Sequence, residues 1–285
     1  MENRFDTESH FLNLGQSSSK ISILIGEDKV KRIRKQDENN PTRFYLQYQK
    51  HKNLKVSSPL LMNFPKVLTN FENNSYEMEY INGTPLGYFL KHANHSEANF
   101  VCGDIQRHLL QVISDTNGYV NNADVIVKLK DLEFKLSNSQ PESSIFLKLV
   151  GALINSFQSN QVPKGWNHGD FSFENIIVES GSRKLFMIDL LNSPFESPLI
   201  DLGRLSLDAN YGWWASGFNS SSNLQMNSSK LSKFLDDVLH EKEISVLMQN
   251  LFIGLAILRI EPYTIDPLRM AYLKYAAVQV ERQLN

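Results

Sequence analysis

The chain has 285 residues, with 29 Lys and Arg against 31 Asp and Glu and a formal charge of −2 at pH 7. Hydrophobic residues make up 41% and charged residues 21%, which is the make-up of a folded chain with a core of its own in one or two domains, and it excludes a disordered one. The near-neutral balance lacks the basic excess of a sequence-independent nucleic-acid binder, and the single Cys102 excludes an intrachain disulfide framework and a multi-cysteine zinc site.

Ile21, Ile23 and Ile25 alternate with polar neighbours, the period of a half-buried strand, and a turn over 26–29 leads into a second extended segment from Val30 to Arg34. Asn40 followed by Pro41 starts a helix that runs to about Leu54. Two further strands are predicted at Lys66–Thr69 and Tyr76–Tyr80. Beyond Gly83 the pattern turns helical. Three apolar stripes follow, through Val101 and Val112, Val125 and Leu136, and Phe146 and Phe157. A hairpin interrupts them at Ile176–Val178 and Lys184–Ile188, and helical periodicity returns at Leu231–Leu239, Ile244–Ile257 and Leu268–Val280. The Ser- and Asn-rich run from Asn219 to Ser229 reads as a loop. The boundary this implies separates a small β-rich unit, 1–81, from a larger helical unit, 82–285.

The N-terminal residues are too polar and acidic for a secretory signal. The most apolar stretch, Val246 to Ile260, is interrupted by Gln249, Asn250 and Arg259 and falls short of the roughly 20 apolar residues of a membrane span. The expectation is a cytoplasmic protein with no membrane span and no nucleic-acid partner.

The chemistry concentrates in Trp166-Asn167-His168-Gly169-Asp170-Phe171-Ser172-Phe173-Glu174-Asn175, followed by a strand that ends in Ile188-Asp189 and by Asp201. A carboxylate and an amide oxygen are hard ligands suited to Mg²⁺, the role open to Asp189 and Asn175. A separate carboxylate, Asp170, is placed to accept a hydrogen bond from an incoming hydroxyl. This is the inventory phosphoryl transfer requires. Four fixed residues at these spacings would arise by chance about 0.002 times in such a chain.

His-Gly-Asp-x-x-x-x-Asn, a hydrophobic strand ending in Ile-Asp and a further Asp a dozen residues on resemble the aminoglycoside phosphotransferase and choline kinase superfamily, the small-molecule relatives of protein kinases. The segment Ser193 to Arg204 resembles bacterial members found with surface-polysaccharide biosynthesis. The resemblance implies a two-lobed, protein-kinase-like α+β fold and transfer of the γ-phosphoryl group of ATP, or of GTP, with Mg²⁺, to a hydroxyl of a small molecule such as a sugar, sugar acid or amino alcohol. Asp170 is then the catalytic aspartate, and Asn175 and Asp189 are the metal ligands. His168 and Asp201 are structural, Asp201 through the catalytic-loop backbone. Backbone groups of Glu79, Tyr80 and Ile81 meet the adenine edge, and Ser17, Ser18 and Ser19 lie in the loop over the phosphates.

The nucleotide lysine is less plain. Setting Val30 and Ile33 at the apolar positions puts Arg32 in its place, with Lys31 on the opposite face, and the following helix offers Gln47 and Gln49 where such kinases carry a Glu. That missing pair motivates an alternative, a pseudokinase or nucleotide-binding scaffold without turnover. A protein kinase ranks lower, because no Ala-Pro-Glu segment follows Asp189. Tyr211, Trp213 and Trp214 read either as core aromatics or as an acceptor wall, and Asp208, Arg259 and Glu261 are further acceptor-site candidates. Glu174 reads as a surface side chain and Cys102 as a small core residue.

Overall fold

A computed structural model describes residues 20–26, 29–54, 62–137, 144–193, 195–217 and 221–284. It opens with an antiparallel sheet of β1 (Lys20–Ile25), β2 (Lys31–Gln36) and β3 (Ser75–Glu79), in that order. Helix α1 (Pro41–Lys52) crosses it. Asn40 starts the helix by accepting a hydrogen bond from Arg43 N at 3.2 Å, with Pro41 in the first turn. Its buried Phe44 and Tyr48 pack on Tyr76 and Met78 of β3 and on Ile33 of β2, a small aromatic core. Strand period then decides what else lies on that face: Lys35, two residues from Ile33 and opposite Tyr76, shares it, whereas Arg32 and Arg34 lie on the other, opposite Glu79 and Glu77.

Residues Tyr80 to Asn82 lead to a second antiparallel sheet, β4 (Gly83–Pro85), β5 (Ile176–Glu179) and β6 (Leu185–Met187). Between its strands the chain inserts α2 (Leu86–His92), α3 (His95–Ser114), α4 (Asn122–Ser137) and α5 (Ser144–Ser159), and after it come α6 (Leu199–Tyr211), α7 (Ser222–Glu241), α8 (Val246–Ile260) and α9 (Pro267–Leu284). The architecture is the expected two-lobed α+β fold. Helix α6 runs through the middle of the helical part, with every residue from Leu199 to Ala209 buried. It approaches α8 so closely that a Cβ on Gly203 would lie 2.4 Å from the Phe252 carbonyl carbon. No helix among the described residues is long and apolar enough to cross a membrane.

Two sequence expectations change. The segment 66–69 forms no strand of its own; Val67 makes a single bridge to Met78, with Leu68 N donating to Glu77 O. The run expected as a loop over 219–229 is helical from Ser222, because Ser221 caps α7 by accepting from Leu224 N at 3.1 Å. Residues 219 and 220 lie outside the described residues, as do Ser17, Ser18 and Ser19.

Candidate active site

The loop from Asn167 to Asn175 lies between α5 and β5 and is folded by its own backbone and by α6. The carboxylate of Asp201 accepts from His168 N at 2.5 Å and Gly169 N at 2.9 Å. Gly169 has φ +92°, and a Cβ there would sit 2.4 Å from Leu191 O, so only glycine lets the loop approach the segment after Asp189. That approach is tied by Leu191 N donating to His168 O and Ile188 N to Asn175 O, each at 2.9 Å. Burial holds the His168 ring neutral, with its pKa near 3. Its Nδ1 can therefore accept from Asp170 N, 3.3 Å away. Burial also raises the Asp201 carboxyl to about 7, against the pull of its two backbone donors and of Lys50 and Arg259.

Asp170 is a third exposed and stands at the centre. Asn175 Nδ2 donates to its Oδ2 and to its backbone oxygen, both at 2.9 Å, which turns the Asn175 amide oxygen away from the pair. Arg204 Nε donates to Asp170 Oδ1 at 2.9 Å. Arg204 Nη1 is 3.0 Å from Asp208 Oδ1, and Asp208 Oδ2 accepts from Phe173 N at 2.9 Å. Burial opposes the charge on Arg204, but Asp208 and Asp170 more than offset it and raise its pKa. One guanidinium from α6 thus joins two carboxylates, one on the 167–175 loop and one that accepts from its backbone.

Asp189 sits just past β6 in the left-handed region, φ +61°, an uncommon conformation for a residue with a Cβ. Its carboxylate is in contact with Lys35 Nζ of β2. Burial draws the Lys35 ammonium down to about 8. The lysine that reaches the site is therefore Lys35. Arg32 and Lys31 are not brought to Asp189: Arg32 lies on the far face of β2, and Lys31 sits 5.6 Å over the Tyr80 ring. The strand Lys-Arg-Ile-Arg-Lys-Gln has one apolar residue to set its phase, and counting by two from Ile33 finds Lys35 where pairing Val30 with Ile33 did not.

The donor set fits a hard divalent cation. Asp189 holds a cationic group already, and the Asn175 amide oxygen is left for a ligand by the two bonds of its nitrogen. Tyr80 and Ile81 lie between the two sheets, past the last ladder pair of Glu79; the Glu79 N–H itself donates to Lys66 O at 2.8 Å.

Solved structures share the overall fold. A ternary complex of a thermostable aminoglycoside phosphotransferase APH(4)-Ia with ADP and hygromycin B superposes with a TM-score of 0.64 over 98% of this chain and 94% of that one, at 13% identity. The chain has the aminoglycoside phosphotransferase fold. An ADP-bound aminoglycoside phosphotransferase APH(2'')-Ib matches at 0.58 and 15% identity over 99% and 94% of the two chains, and an ethanolamine kinase of Plasmodium vivax at 0.58 and 14% over 100% and 85%. No protein-family model and no curated protein sequence matches the chain, so the likeness is carried by the fold.

On this phosphotransferase fold the remaining candidates separate. Trp214 is a core residue: it packs on Gly87, where a Cβ would be 2.4 Å from its ring, and on Tyr88 and Phe173. The Asp208 side chain is fully buried and serves Arg204 and Phe173 N, so it is not an acceptor wall. Trp213 is buried with Arg269 over its ring at 5.6 Å, whereas Tyr211 and Glu261 are partly exposed. Arg259, on the last turn of α8, is half-buried, and burial lowers its pKa against the pull of Asp170 and Asp201. Glu174 is no plain surface group: burial raises its carboxyl to about 7, with Arg204 and Arg269 opposing. Sequence reasoning missed Arg204 as a site residue. Its signal was present in Asp201, Arg204 and Asp208, spaced by three and four as one polar stripe on an apolar helix.

Proposed function

We propose that the chain is an ATP-dependent phosphotransferase that moves the γ-phosphoryl group to a hydroxyl of a small molecule. The convergence of Asp170, Asn175, Asp189 and Lys35, from a loop and two different sheets, carries the reading. Asp170, oriented by Arg204 and Asn175, accepts the proton of the acceptor hydroxyl as its oxygen attacks the γ-phosphorus; the bond to the β–γ bridging oxygen breaks and ADP leaves. Lys35 steadies the phosphates, and the backbone of Glu79 to Ile81 meets the adenine edge. Asp189 and the Asn175 amide oxygen would hold Mg²⁺, which when bound neutralises charge between the β- and γ-phosphates. A sugar, a sugar acid or an amino alcohol suits the reaction. A role in bacterial surface-glycan metabolism rests on the sequence resemblance alone.

A second reading, a nucleotide-binding scaffold without turnover, is favoured by one observation: α1 offers Lys35 no acid, and Gln49 is engaged with Tyr45 and Asn53. Measuring Mg²⁺-dependent ADP release from ATP, and GDP release from GTP, across sugars, sugar acids, polyols, amino alcohols and aminoglycosides separates the two. Acceptor-stimulated release that disappears in Asp189→Ala is expected. Nucleotide binding without release in any arm would support the scaffold.

A further inference from the structure

Helix α1 carries no Asp or Glu and so offers Lys35 no carboxylate, yet its last turn reaches the segment that follows β6. There the half-buried Lys50 donates from Nζ to Leu191 O at 2.7 Å. Leu191 stands two residues beyond Asp189 and is already a junction. Its N–H donates to His168 O at 2.9 Å, and its carbonyl oxygen occupies the space where Gly169 has no Cβ. His168 and Gly169 in turn donate their backbone N–H groups to Asp201, and the His168 ring accepts from Asp170 N. One line of hydrogen bonds therefore runs from α1 through Leu191 to the backbone of Asp170. The first sheet and its helix hold the 189–191 segment at both ends, Lys35 on the Asp189 carboxylate and Lys50 on the Leu191 carbonyl.

A lysine head drawn partly out of water costs free energy unless a partner meets it, and here the partner is one backbone carbonyl at a strained place in the chain. Asp189 has φ +61°, a conformation disfavoured for a residue with a Cβ, which persists only where its surroundings impose it. Lys35 restrains its side chain, the bond from Ile188 N to Asn175 O restrains the residue before it, and His168 and Lys50 restrain the residue two after it. We infer that Lys50 is a positioning residue: by holding Leu191 O it couples α1 to the 189–191 segment and keeps the Asp189 carboxylate where it can hold Mg²⁺. Lys50 thus makes through the backbone the tie between α1 and the site that an acid on α1 would make to Lys35. The inference rests on the phosphotransferase reading and adds a residue to its machinery.

The test is calorimetric titration of the full chain with ADP, with and without Mg²⁺, beside steady-state transfer from ATP to an acceptor active in the panel above. In the parent, Mg²⁺ should tighten ADP binding. Lys50→Met should lose about tenfold or more of that tightening, the weight of a hydrogen bond with one charged partner, with metal-free ADP affinity unchanged. Its kcat should fall by a similar factor while KM for the acceptor holds. Lys50→Arg, which keeps a charged donor, should recover part of both. Urea unfolding checks that the variants are folded, and Lys50→Gln, with a shorter and neutral side chain, repeats the comparison if Lys50→Met does not fold. Parent-like Mg²⁺ tightening and kcat in Lys50→Met, with only its unfolding midpoint lowered, would overturn the inference and leave the kinase reading standing. ADP binding by the parent that ignores Mg²⁺ would overturn the inference together with the metal role of Asp189. Mg²⁺ tightening that Lys50→Met weakens, in a parent without turnover on any acceptor, would overturn the kinase reading and uphold the coupling.

Discussion

Arg204 is one-tenth exposed and joins two carboxylates of different fate, one buried outright and one facing the cleft. Removing it leaves Asp208 charged and unpaired inside the protein and lets Asp170 turn. Arg204→Met should therefore cost about 3–5 kcal/mol of stability in urea unfolding and, per folded molecule, lower kcat about 100-fold, with a displaced pH–rate profile that Arg204→Lys partly restores. A residue with a purely structural role would lose the stability and keep kcat and its profile. The loop residues were legible because their type and spacing form a recognisable motif, and the structure joins Asp170, Asn175, His168 and Asp201 in one hydrogen-bonded unit. Lys35 was not legible, since a strand with five polar residues in six carries almost no phase. Trp214 stayed open between core and cleft, and Asp208 stood as an acceptor-site candidate, because residue type does not tell a buried polar or aromatic side chain from one that lines a cleft.

The elements follow the same logic. Amphipathic helices such as α3 and α5, whose buried positions recur every three to four residues, were legible from their stripes. Helix α6 was not, because a helix buried on every side shows no polar face, and here its only polar stripe is the functional one. The 167–175 loop in turn packs against α3, which places His108 between Trp166 and Phe171, at ring distances of 6.3 and 5.6 Å. Burial lowers the His108 pKa from 6.5 to about 4. The unfolded chain therefore gains a proton below pH 6.5 that the folded chain refuses, and stability is lost as pH falls from 6.5 towards 4. His108→Phe removes this cost. Relative to the parent, its unfolding free energy should rise by about 2 kcal/mol between pH 7.5 and pH 5, measured by urea unfolding at both values. A constant difference across that range would show that His108 is not buried neutral.

At the scale of the whole molecule, the order of a β-rich unit, a helical unit and one hairpin carrying the loop was enough to indicate the fold, and the solved phosphotransferases share it over nearly the full chain. Identity of 11–15% among the leading matches to those enzymes leaves the acceptor to be read from the site itself. There Arg204 of α6, joined to both Asp170 and Asp208, makes an assembly by packing that no local motif records. The proposed reaction depends on that assembly bringing Asp170 to an acceptor hydroxyl opposite Lys35 and Asp189. Single-turnover transfer of the γ-phosphoryl group from ATP to an accepted acceptor, compared between the parent chain and Asp170→Asn at matched nucleotide occupancy, tests this most directly. The account predicts that nucleotide affinity is kept while the transfer rate falls by at least about 100-fold, the weight of a general base. Transfer by Asp170→Asn at the parent rate would contradict it.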